Sequence, residues 1–287
     1  MCPAIVPEGQ KRGYLIPIGG AEDKEAKPSI LKRFTEISGG RKSRILVIPT
    51  ASRLDDTGRM YQTLFKRLGA GDVEYTPITS REDCDNPEYA ELCSQATGIF
   101  ITGGNQLRLS TILGVTAVAQ AIRRGNADGV HVAGTSAGAS IMAQHMMAGG
   151  PGDSGAREGG ATLAPGLGLT NSAIIDQHFS ERNRIGRLLS AVAYNPYLFG
   201  IGVDEDTAAF IDPHNVIEVV GSGGVTILDG SDLKYSSLSQ ARSGEALGLL
   251  GLKLDILHEG CHYDLNTREA YPPAQDGQGH CNISVGD

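Results

Sequence analysis

A serine between two glycines is the pattern in this chain best suited to covalent chemistry. Gly134, Ser136 and Gly138 form a Gly-x-Ser-x-Gly turn after the apolar residues 130–133 and before residues 139–148, which are good helix formers. In a nucleophile elbow, a strained strand-to-helix turn exposes the serine hydroxyl at the end of a sheet. The sequence therefore predicts a strand, a helix and a nucleophilic Ser136, with an inert serine in a Gly-rich turn as the alternative.

A serine nucleophile needs a neighbouring base, and His178 is the histidine best placed to act as one. It follows the apolar residues 174–175 and precedes an arginine-rich segment, 181–187, for which we predict a helix. The other histidines have simpler interpretations. His131 is expected in the core of the elbow strand, His145 lies on the predicted helix, and the rest lie in turns or in the C-terminal tail.

The residue that orients the base is expected in an acidic run after another predicted strand. Asp204, Glu205 and Asp206 are three adjacent candidates, although such a run is also typical of a solvated turn. With Glu205, the chain order is serine, histidine, acid, which differs from the serine, acid, histidine order of α/β-hydrolases. A His-Gly-Gly-Gly-type loop is missing as well, so an esterase or lipase is disfavoured.

Two backbone N–H groups are candidates for stabilising a developing oxyanion. Gly104 follows the apolar residues 98–101, and Ala137 follows the serine. Donors placed beside a nucleophile at strand ends are suited to that task. A simple tight turn at residues 103–104 is the alternative.

The elements that must position these residues alternate between strands and helices over the first two thirds of the chain. Predicted strands cover residues 14–19, 44–49, 73–76 and 98–101, and predicted helices cover residues 25–37, 57–68 and 117–124. This alternation indicates an α/β fold with a mainly parallel sheet between two helical layers. Ligands in such folds gather at the carboxyl ends of the strands, where Gly104 and Ser136 both lie.

The last third of the chain has closely spaced strands separated by turns. Predicted strands cover residues 200–203, 208–211, 216–220 and 225–228. We interpret them as an antiparallel C-terminal extension of the same sheet, so residues 1–271 are predicted to form a single catalytic domain. Residues 149–168 are predicted to be a long surface loop near the elbow, and residues 272–287 a frayed polar tail.

Composition excludes several functional classes. The 287 residues carry a formal net charge of −8, with 40% hydrophobic and 20% charged residues. An acidic chain of this kind disfavours nucleic acid or an anionic membrane as its partner. The five cysteines lack CxxC spacing, so we expect reduced thiols, no metal site and no cofactor. Without a recognisable secretory signal or membrane span, a cytoplasmic location is expected.

Five blocks of the sequence carry a resemblance to a known family. They are residues 19–24, 102–109, 134–139, 176–179 with Arg182 and Arg184, and 202–207. Together they resemble the cyanophycinase family, whose members are serine exopeptidases related to peptidase E, and the resemblance extends over residues 13–273. Five blocks in order are far more specific than any single motif.

The resemblance implies a class I glutamine-amidotransferase-like α/β/α sandwich and hydrolysis of the poly-aspartate backbone of cyanophycin to β-Asp-Arg dipeptides. It makes Ser136 the nucleophile, which forms an acyl-enzyme, His178 the general base and Glu205 the third triad member. The implied substrate-binding residues are Gln106, Asp176, Gln177, Arg182, Arg184 and Arg187. One departure is Asn105, where the family pattern leads us to expect aspartate.

The chemistry of cyanophycin fits these residue types independently. Each repeat carries a guanidinium and a free arginine α-carboxylate. Arg182 and Arg187 can hold carboxylates with paired hydrogen bonds. Asp176 and the amide oxygens of Gln106 and Gln177 can accept from a guanidinium. Solvated helix charges that pair with nearby acids are the alternative for the arginines.

Two other functions remain open at this point. An aspartyl dipeptidase of the peptidase E kind would share the elbow and the fold, but it should be shorter and need fewer arginines after the histidine. A non-catalytic amidotransferase-like binding protein is the second alternative, and Ser136 together with His178 speaks against it. The sequence does not determine an oligomeric state, and a homodimer is one state that it allows.

Overall fold

The central sheet is built around five parallel strands. The computed structural model describes residues 2–153 and 155–273. Its first strands are β1 (Leu15–Ile18), β2 (Arg44–Ile48), β3 (Asp72–Tyr75), β4 (Gly98–Ile101) and β5 (His131–Thr135). They lie in the order β1-β5-β4-β2-β3, and each neighbouring pair is parallel. The parallel sheet predicted from the sequence is confirmed.

Helices cover both faces of this sheet. α1 (Ser29–Ile37) and α2 (Thr57–Arg67) lie on one face, and α3 (Pro87–Gln95), α4 (Gln106–Leu113) and α5 (Ala117–Ala127) lie on the other. Successive strand residues point to opposite faces. Ile45 and Val47 of β2 therefore share a core with α1 and α2, whereas Leu46 and Ile48 share a core with α3, α4 and α5. The result is the predicted three-layer α/β/α sandwich, with α3 and α4 as helices that the sequence analysis missed.

The remaining strands extend the central sheet and form smaller ones. In chain order they are β6 (His145–Gly149), β7 (Thr162–Pro165), β8 (Ala173–Gln177), β9 (Phe199–Val203), β10 (Thr207–Ile211), β11 (Val216–Gly221), β12 (Val225–Asp229), β13 (Tyr235–Ser236), β14 (Leu249–Leu250), β15 (Lys253–Leu257), β16 (His262–Asp264) and β17 (Glu269–Tyr271). β10, β11, β16 and β17 continue the central sheet beyond β1 as antiparallel strands. A separate sheet has the order β15-β12-β9-β8, while β6 pairs with β7 and β13 with β14.

The predicted antiparallel extension is right for β10 and β11 and wrong for β9 and β12. β9 lies beside β8 as a parallel neighbour and beside β12 as an antiparallel one, in the separate sheet. Between β9 and β10, Asp206 has a positive φ of 46°, and the chain crosses there to pair with β1 in the central sheet. Strand spacing alone does not reveal which of two sheets a strand joins.

The helix predicted over residues 139–148 is wrong. α6 (Ala137–Ser140) is a single turn, and the segment from His145 onward is β6. Met146 and Met147 are both 0% exposed and belong to two different cores. Neighbouring residues of a strand reach opposite sides in this way, whereas neighbouring residues of a helix do not. Burial of both methionines therefore outweighs the helix propensity of the segment. The partner strand of β6 is β7, which lies within residues 149–168, where the sequence predicts a loop.

The arginine-rich segment is a turn before it becomes a helix. α7 spans Ile185–Tyr194, so Arg182 lies in the turn, Arg184 is the residue before the helix and Arg187 lies in its first turn. Of the predicted polar tail, residues 274–287 lie outside the described residues. Within the described ranges we find no helix with both the length and the apolarity needed to span a bilayer.

Candidate active site

Ser136 lies in a strained turn directly after β5. Its φ of 52° and ψ of −112° are values that non-glycine residues rarely adopt. A Cβ on Gly134 would lie 2.2 Å from the carbonyl oxygen of Gly138, and one on Gly138 would lie 2.2 Å from that of Ile101. Both glycines are therefore needed for the turn to pack closely. Strand, turn and a short helix form the elbow that the sequence predicts.

Ser136, His178 and Glu205 form a continuous hydrogen-bonded chain. Oγ of Ser136 lies 2.9 Å from Nε2 of His178, and Nδ1 of His178 lies 2.6 Å from Oε1 of Glu205. When Nδ1–H donates to Glu205, Nε2 accepts from the serine hydroxyl, which is the arrangement of nucleophile, base and orienting acid. Oε1 of Gln177 lies 3.4 Å from the same serine oxygen. The structure thus brings together the three residues predicted for catalysis.

In the acidic run, one residue hydrogen-bonds the histidine and the other two hydrogen-bond backbone N–H groups nearby. The carboxylate of Asp204 accepts from the N–H groups of Ser180 and Gly224, each at 3.0 Å. The carboxylate of Asp206 accepts from the N–H of Asp23 at 2.8 Å. Glu205 alone among the three hydrogen-bonds His178, so the geometry favours it as the orienting acid.

Three consecutive backbone carbonyls at the end of β1 hold the segments that carry these side chains. The carbonyl of Ile18 accepts from the N–H of Ser136 at 2.9 Å. The carbonyl of Gly19 accepts from the N–H of His178 at 2.8 Å, and that of Gly20 from the N–H of Asp206 at 2.8 Å. The three donors have positive φ values of 52°, 46° and 46°. The end of β1 is therefore the point at which the three segments are fixed relative to one another.

Gly20 makes room for the imidazole of His178. Its φ is +106°, and a Cβ there would lie 2.3 Å from Cε1 and 2.6 Å from Nε2 of the ring. Any larger residue at this position would displace the base. The catalytic motifs of the sequence do not include Gly20, although the Gly-Gly pair directly after the first strand is a signal of a close backbone approach.

Burial lowers the pKa of His178 below its ordinary value of 6.5. Loss of hydration is the largest cause. The hydrogen bond to Glu205 opposes it, while the positive charges of Arg182 and Arg184 lower the pKa further. A lowered pKa keeps the imidazole neutral at neutral pH, which is the form that accepts a proton from serine.

Asp176 lies two residues before His178 and is fully buried with two arginines. Arg187 donates from Nε to Oδ2 at 2.6 Å and from Nη2 to Oδ1, while Nη1 of Arg184 lies 3.4 Å from Oδ1. Asp176 is 0% exposed. Its carboxylate thus holds the two arginines in place. That it also accepts from a substrate guanidinium stays a prediction.

This cluster carries an excess of positive charge. Two guanidinium groups share one carboxylate, and Arg184 and Arg187 are themselves buried. Burial lowers the pKa of Arg184 to about 10, opposed by the charge of Asp176 and reinforced by repulsion from Arg187 and Arg182. A buried excess of positive charge favours an anionic ligand group.

The other predicted pocket residues differ in exposure. Arg182 is exposed, and its charge reaches His178. Gln106 is partly exposed at the start of α4 and donates its amide to the carbonyl oxygen of Ala148 at 3.1 Å. Gln177 is 3% exposed and faces Ser136. Gln177 and Arg182 thus lie next to the triad, and Gln106 is fixed against β6.

The turn before α4 contains the predicted oxyanion residue and the departure from the family pattern. Gly104 has a φ of +145°, and a Cβ there would lie 2.1 Å from the carbonyl oxygen of Ala51. Oδ1 of Asn105 accepts from the N–H of Arg108 at 2.9 Å and caps the helix. Asparagine and aspartate cap helices equally well, so the departure preserves this turn. Ala137 is the first residue of α6, where an N–H has no intrahelical acceptor. The oxyanion role of Gly104 and Ala137 stays a prediction.

The described cysteines are free thiols, and two of them are buried with raised pKa values. Cys2, Cys84, Cys93 and Cys261 are unbridged, and Cys281 lies outside the described residues. Burial raises the pKa of Cys84 and raises that of Cys93 to about 12, so both thiols are protonated at neutral pH. Residues 2–153 and 155–273 contain no group of three or more His, Cys, Asp or Glu residues able to hold a metal ion.

The family of this chain follows from its sequence. A profile of peptidase family S51 matches residues 15–219, a stretch that contains Ser136, His178 and Glu205. The chain belongs to peptidase family S51. It is therefore a serine-type peptidase, in agreement with the elbow and the hydrogen-bonded chain described above.

Curated relatives and solved structures agree with this family. The chain is 40% identical over 260 residues to a cyanophycinase of Geminocystis herdmanii, with 90% of this chain and 96% of the relative covered. It is 40% identical over 268 residues to a cyanophycinase of Trichormus variabilis, with 93% and 90% covered. The crystal structure of a peptidase from an acI-B1 Actinobacterium matches with a TM-score of 0.64 at 25% identity, over 92% of this chain and 98% of that one.

A more distant structure bears on the fold alone. A putative peptidase E protein from Listeria monocytogenes EGD-e matches with a TM-score of 0.52 at 19% identity, over 74% of this chain and 100% of that one. Together the two structural neighbours confirm the class I glutamine-amidotransferase-like fold that the sequence blocks imply.

Proposed function

We propose that this peptidase is an exopeptidase that hydrolyses the poly-aspartate backbone of cyanophycin and releases β-Asp-Arg dipeptides. The observation that carries the proposal is the chain of hydrogen bonds, 2.9 Å and 2.6 Å long, from Ser136 through His178 to Glu205. It occurs in a sequence that is 40% identical to a cyanophycinase over nearly its full length.

The proposed reaction follows from the roles of the three residues. Oγ of Ser136 attacks the backbone carbonyl of an aspartyl residue while Nε2 of His178 takes its proton, and Glu205 stabilises the imidazolium. The N–H groups of Gly104 and Ala137 stabilise the oxyanion. His178 then protonates the leaving amine, which departs and leaves an acyl-enzyme on Ser136. Water, activated by the same histidine, hydrolyses the ester and regenerates the serine.

The charges around the triad support a substrate that carries carboxylates. We assign the arginine α-carboxylate of a cyanophycin repeat to the arginines, because the buried cluster of Arg184, Arg187 and Asp176 keeps an excess positive charge and Arg182 is exposed nearby. Guanidinium groups bind carboxylates with paired hydrogen bonds. The side-chain oxygens of Gln106 and Gln177 are the proposed acceptors for the substrate guanidinium.

Digestion of purified cyanophycin, with the products identified by mass spectrometry, tests this function. We expect β-Asp-Arg as the main initial product and no product from a folded Ser136→Ala variant. Free arginine as the main initial product would mean that the isopeptide bond is cut. Intact polymer together with hydrolysis of Asp-containing dipeptides would identify an aspartyl dipeptidase instead, and no turnover of either would favour a binding protein.

A further inference from the structure

Glu22 is a buried carboxylate close to the triad but outside it. It lies in the loop after β1 and is 3% exposed. It accepts hydrogen bonds from the hydroxyl of Thr135 and, at 2.6 Å, from that of Tyr61, and Nζ of Lys24 lies 3.0 Å from its Oε1. Thr135 is the residue directly before Ser136. The carboxylate therefore ties the loop to the strand that carries the nucleophile.

The backbone of the same loop holds the base and the acid. The carbonyls of Gly19 and Gly20 accept from His178 and Asp206, and the N–H of Asp23 donates to the carboxylate of Asp206 at 2.8 Å. Asp206 directly follows Glu205. A loop of six residues, 19–24, thus contacts the base and acid segments through its backbone and the nucleophile strand through the side chain of Glu22.

We propose that Glu22 is a positioning residue for hydrolysis, which fixes residues 19–24 against Thr135 and thereby sets the distance between Oγ of Ser136 and Nε2 of His178. This proposal rests on the proposed function of the triad. Glu22 touches none of the reacting atoms, so its effect on the reaction passes through the loop.

The surroundings of Glu22 suit a rigid anchor. A buried carboxylate is stable only when its oxygens are hydrogen-bonded or paired with a charge, and here donors reach it from β5, α2 and its own loop. Burial, together with the nearby charge of Glu22, raises the pKa of Tyr61 well above 10, so its hydroxyl remains a donor. Loss of one partner should loosen the loop, and misplacement of reacting groups by about 1 Å can slow a reaction about 100-fold.

Substitutions at Glu22 and Thr135 test the proposal. Glu22→Gln replaces the charge with an amide whose NH2 group faces donors, and Thr135→Val removes the hydroxyl without changing the shape. For both variants we expect kcat on cyanophycin to fall about 10- to 100-fold, with KM changed by less than about twofold. The rate at which a fluorophosphonate labels Ser136, per folded molecule, should fall by the same factor. Thr135→Ser keeps the hydroxyl and should restore both rates.

A matched control separates positioning from stability. Asp229, the last residue of β12, is also buried, at 3% exposed, and is paired with Arg268 of the turn between β16 and β17. Asp229→Asn should lower the melting temperature and leave the labelling rate and kcat per folded molecule unchanged.

One outcome would overturn the assignment, and a different one would overturn the proposed function. If folded Glu22→Gln and Thr135→Val keep the wild-type labelling rate and kcat, Glu22 is a purely structural residue. If Glu22→Gln fails to fold, the comparison of Thr135→Val with Thr135→Ser still shows whether the hydrogen bond to Glu22 positions the nucleophile. Labelling needs no polymer, so a wrong substrate leaves that readout intact. Failure of the wild-type serine to label would instead overturn the proposed function itself.

Discussion

Ser136 and His178 both adopt left-handed backbone conformations, with φ values of 52° and 46°. For non-glycine residues such conformations cost about 1–3 kcal/mol each and persist where the surrounding structure enforces them. Here the carbonyls of Ile18 and Gly19 enforce them by accepting the two backbone N–H groups. Backbone strain at both residues of one side-chain hydrogen bond is typical of a functional site.

Removal of either residue of that pair should nearly abolish activity. Ser136→Ala and His178→Ala are each expected to reduce kcat by at least about four orders of magnitude, and the double variant should be little worse than either. The two residues act as a unit, so their effects do not add. Single-turnover assays on cyanophycin, with circular dichroism as the folding control, measure this. A folded Ser136→Ala variant with a tenth of wild-type activity would refute the assignment.

Arg182 is expected to shift the lower pH limit of activity. The reaction needs neutral His178, so it is lost as the pH falls through the pKa of His178, which burial places below 6.5. Arg182→Ala removes a charge that lowers this pKa, so the acid limb should move to higher pH, whereas Arg182→Lys should leave it in place. Because Arg182 is exposed, added salt should reduce the shift.

The pH dependence of fluorophosphonate labelling measures the His178 pKa without the polymer, which Arg182 is also proposed to bind. An acid limb for Arg182→Ala that lies below that of the wild type would contradict the stated cause of the pKa shift.

At the scale of elements, the sequence predicts which segments approach the site better than it predicts what each side chain does there. The strands before Ser136, His178 and Glu205 are readable from apolar runs. The contact between Glu205 and His178 depends on the turn after β9, and the sequence leaves three acids open there. The sequence predicts Asp176 as a pocket residue, and only the structure shows that its carboxylate also binds Arg187 of α7.

The pairing of β8 with α7 through Asp176 should contribute strongly to stability. Asp176→Asn leaves two buried guanidinium groups without their carboxylate, so the free energy of unfolding should fall by about 3–5 kcal/mol. Glu218→Gln is the control, because its ion pair with Arg33 is partly exposed, with side chains 34% and 31% exposed, and should cost no more than about 1 kcal/mol. Urea denaturation of the two variants and the wild type measures both losses of unfolding free energy. Equal losses would show that Asp176 does not hold the arginines.

At the scale of the whole molecule, the alternation of strands and helices was enough to predict the layered fold. β1, β2, β4 and β5 are short apolar runs that a parallel sheet buries on both faces, so their pattern is unambiguous. The division of the later strands between two sheets is set by packing between distant segments, which no local pattern records. That residues 1–271 form one domain stays a prediction, and a homodimer stays one of the oligomeric states that the sequence allows.

Chelators should leave activity unchanged. The triad supplies its own nucleophile and base, and the described part of the chain has no cluster of metal-ligating residues. Preincubation with EDTA followed by a cyanophycin assay measures this. Inhibition by EDTA that added zinc reverses would contradict a metal-independent mechanism.

Ser136 as the nucleophile is the central claim, and stoichiometric labelling with peptide mapping tests it directly. We expect the fraction of activity lost by the wild-type protein to equal the fraction of molecules that carry one fluorophosphonate adduct, located on Ser136. We also expect cyanophycin to slow the labelling by competition. The His178→Ala variant should label far more slowly, because the serine then lacks its base. Complete inactivation with the adduct on another residue, or full cyanophycin hydrolysis by a protein already labelled at Ser136, would contradict the account.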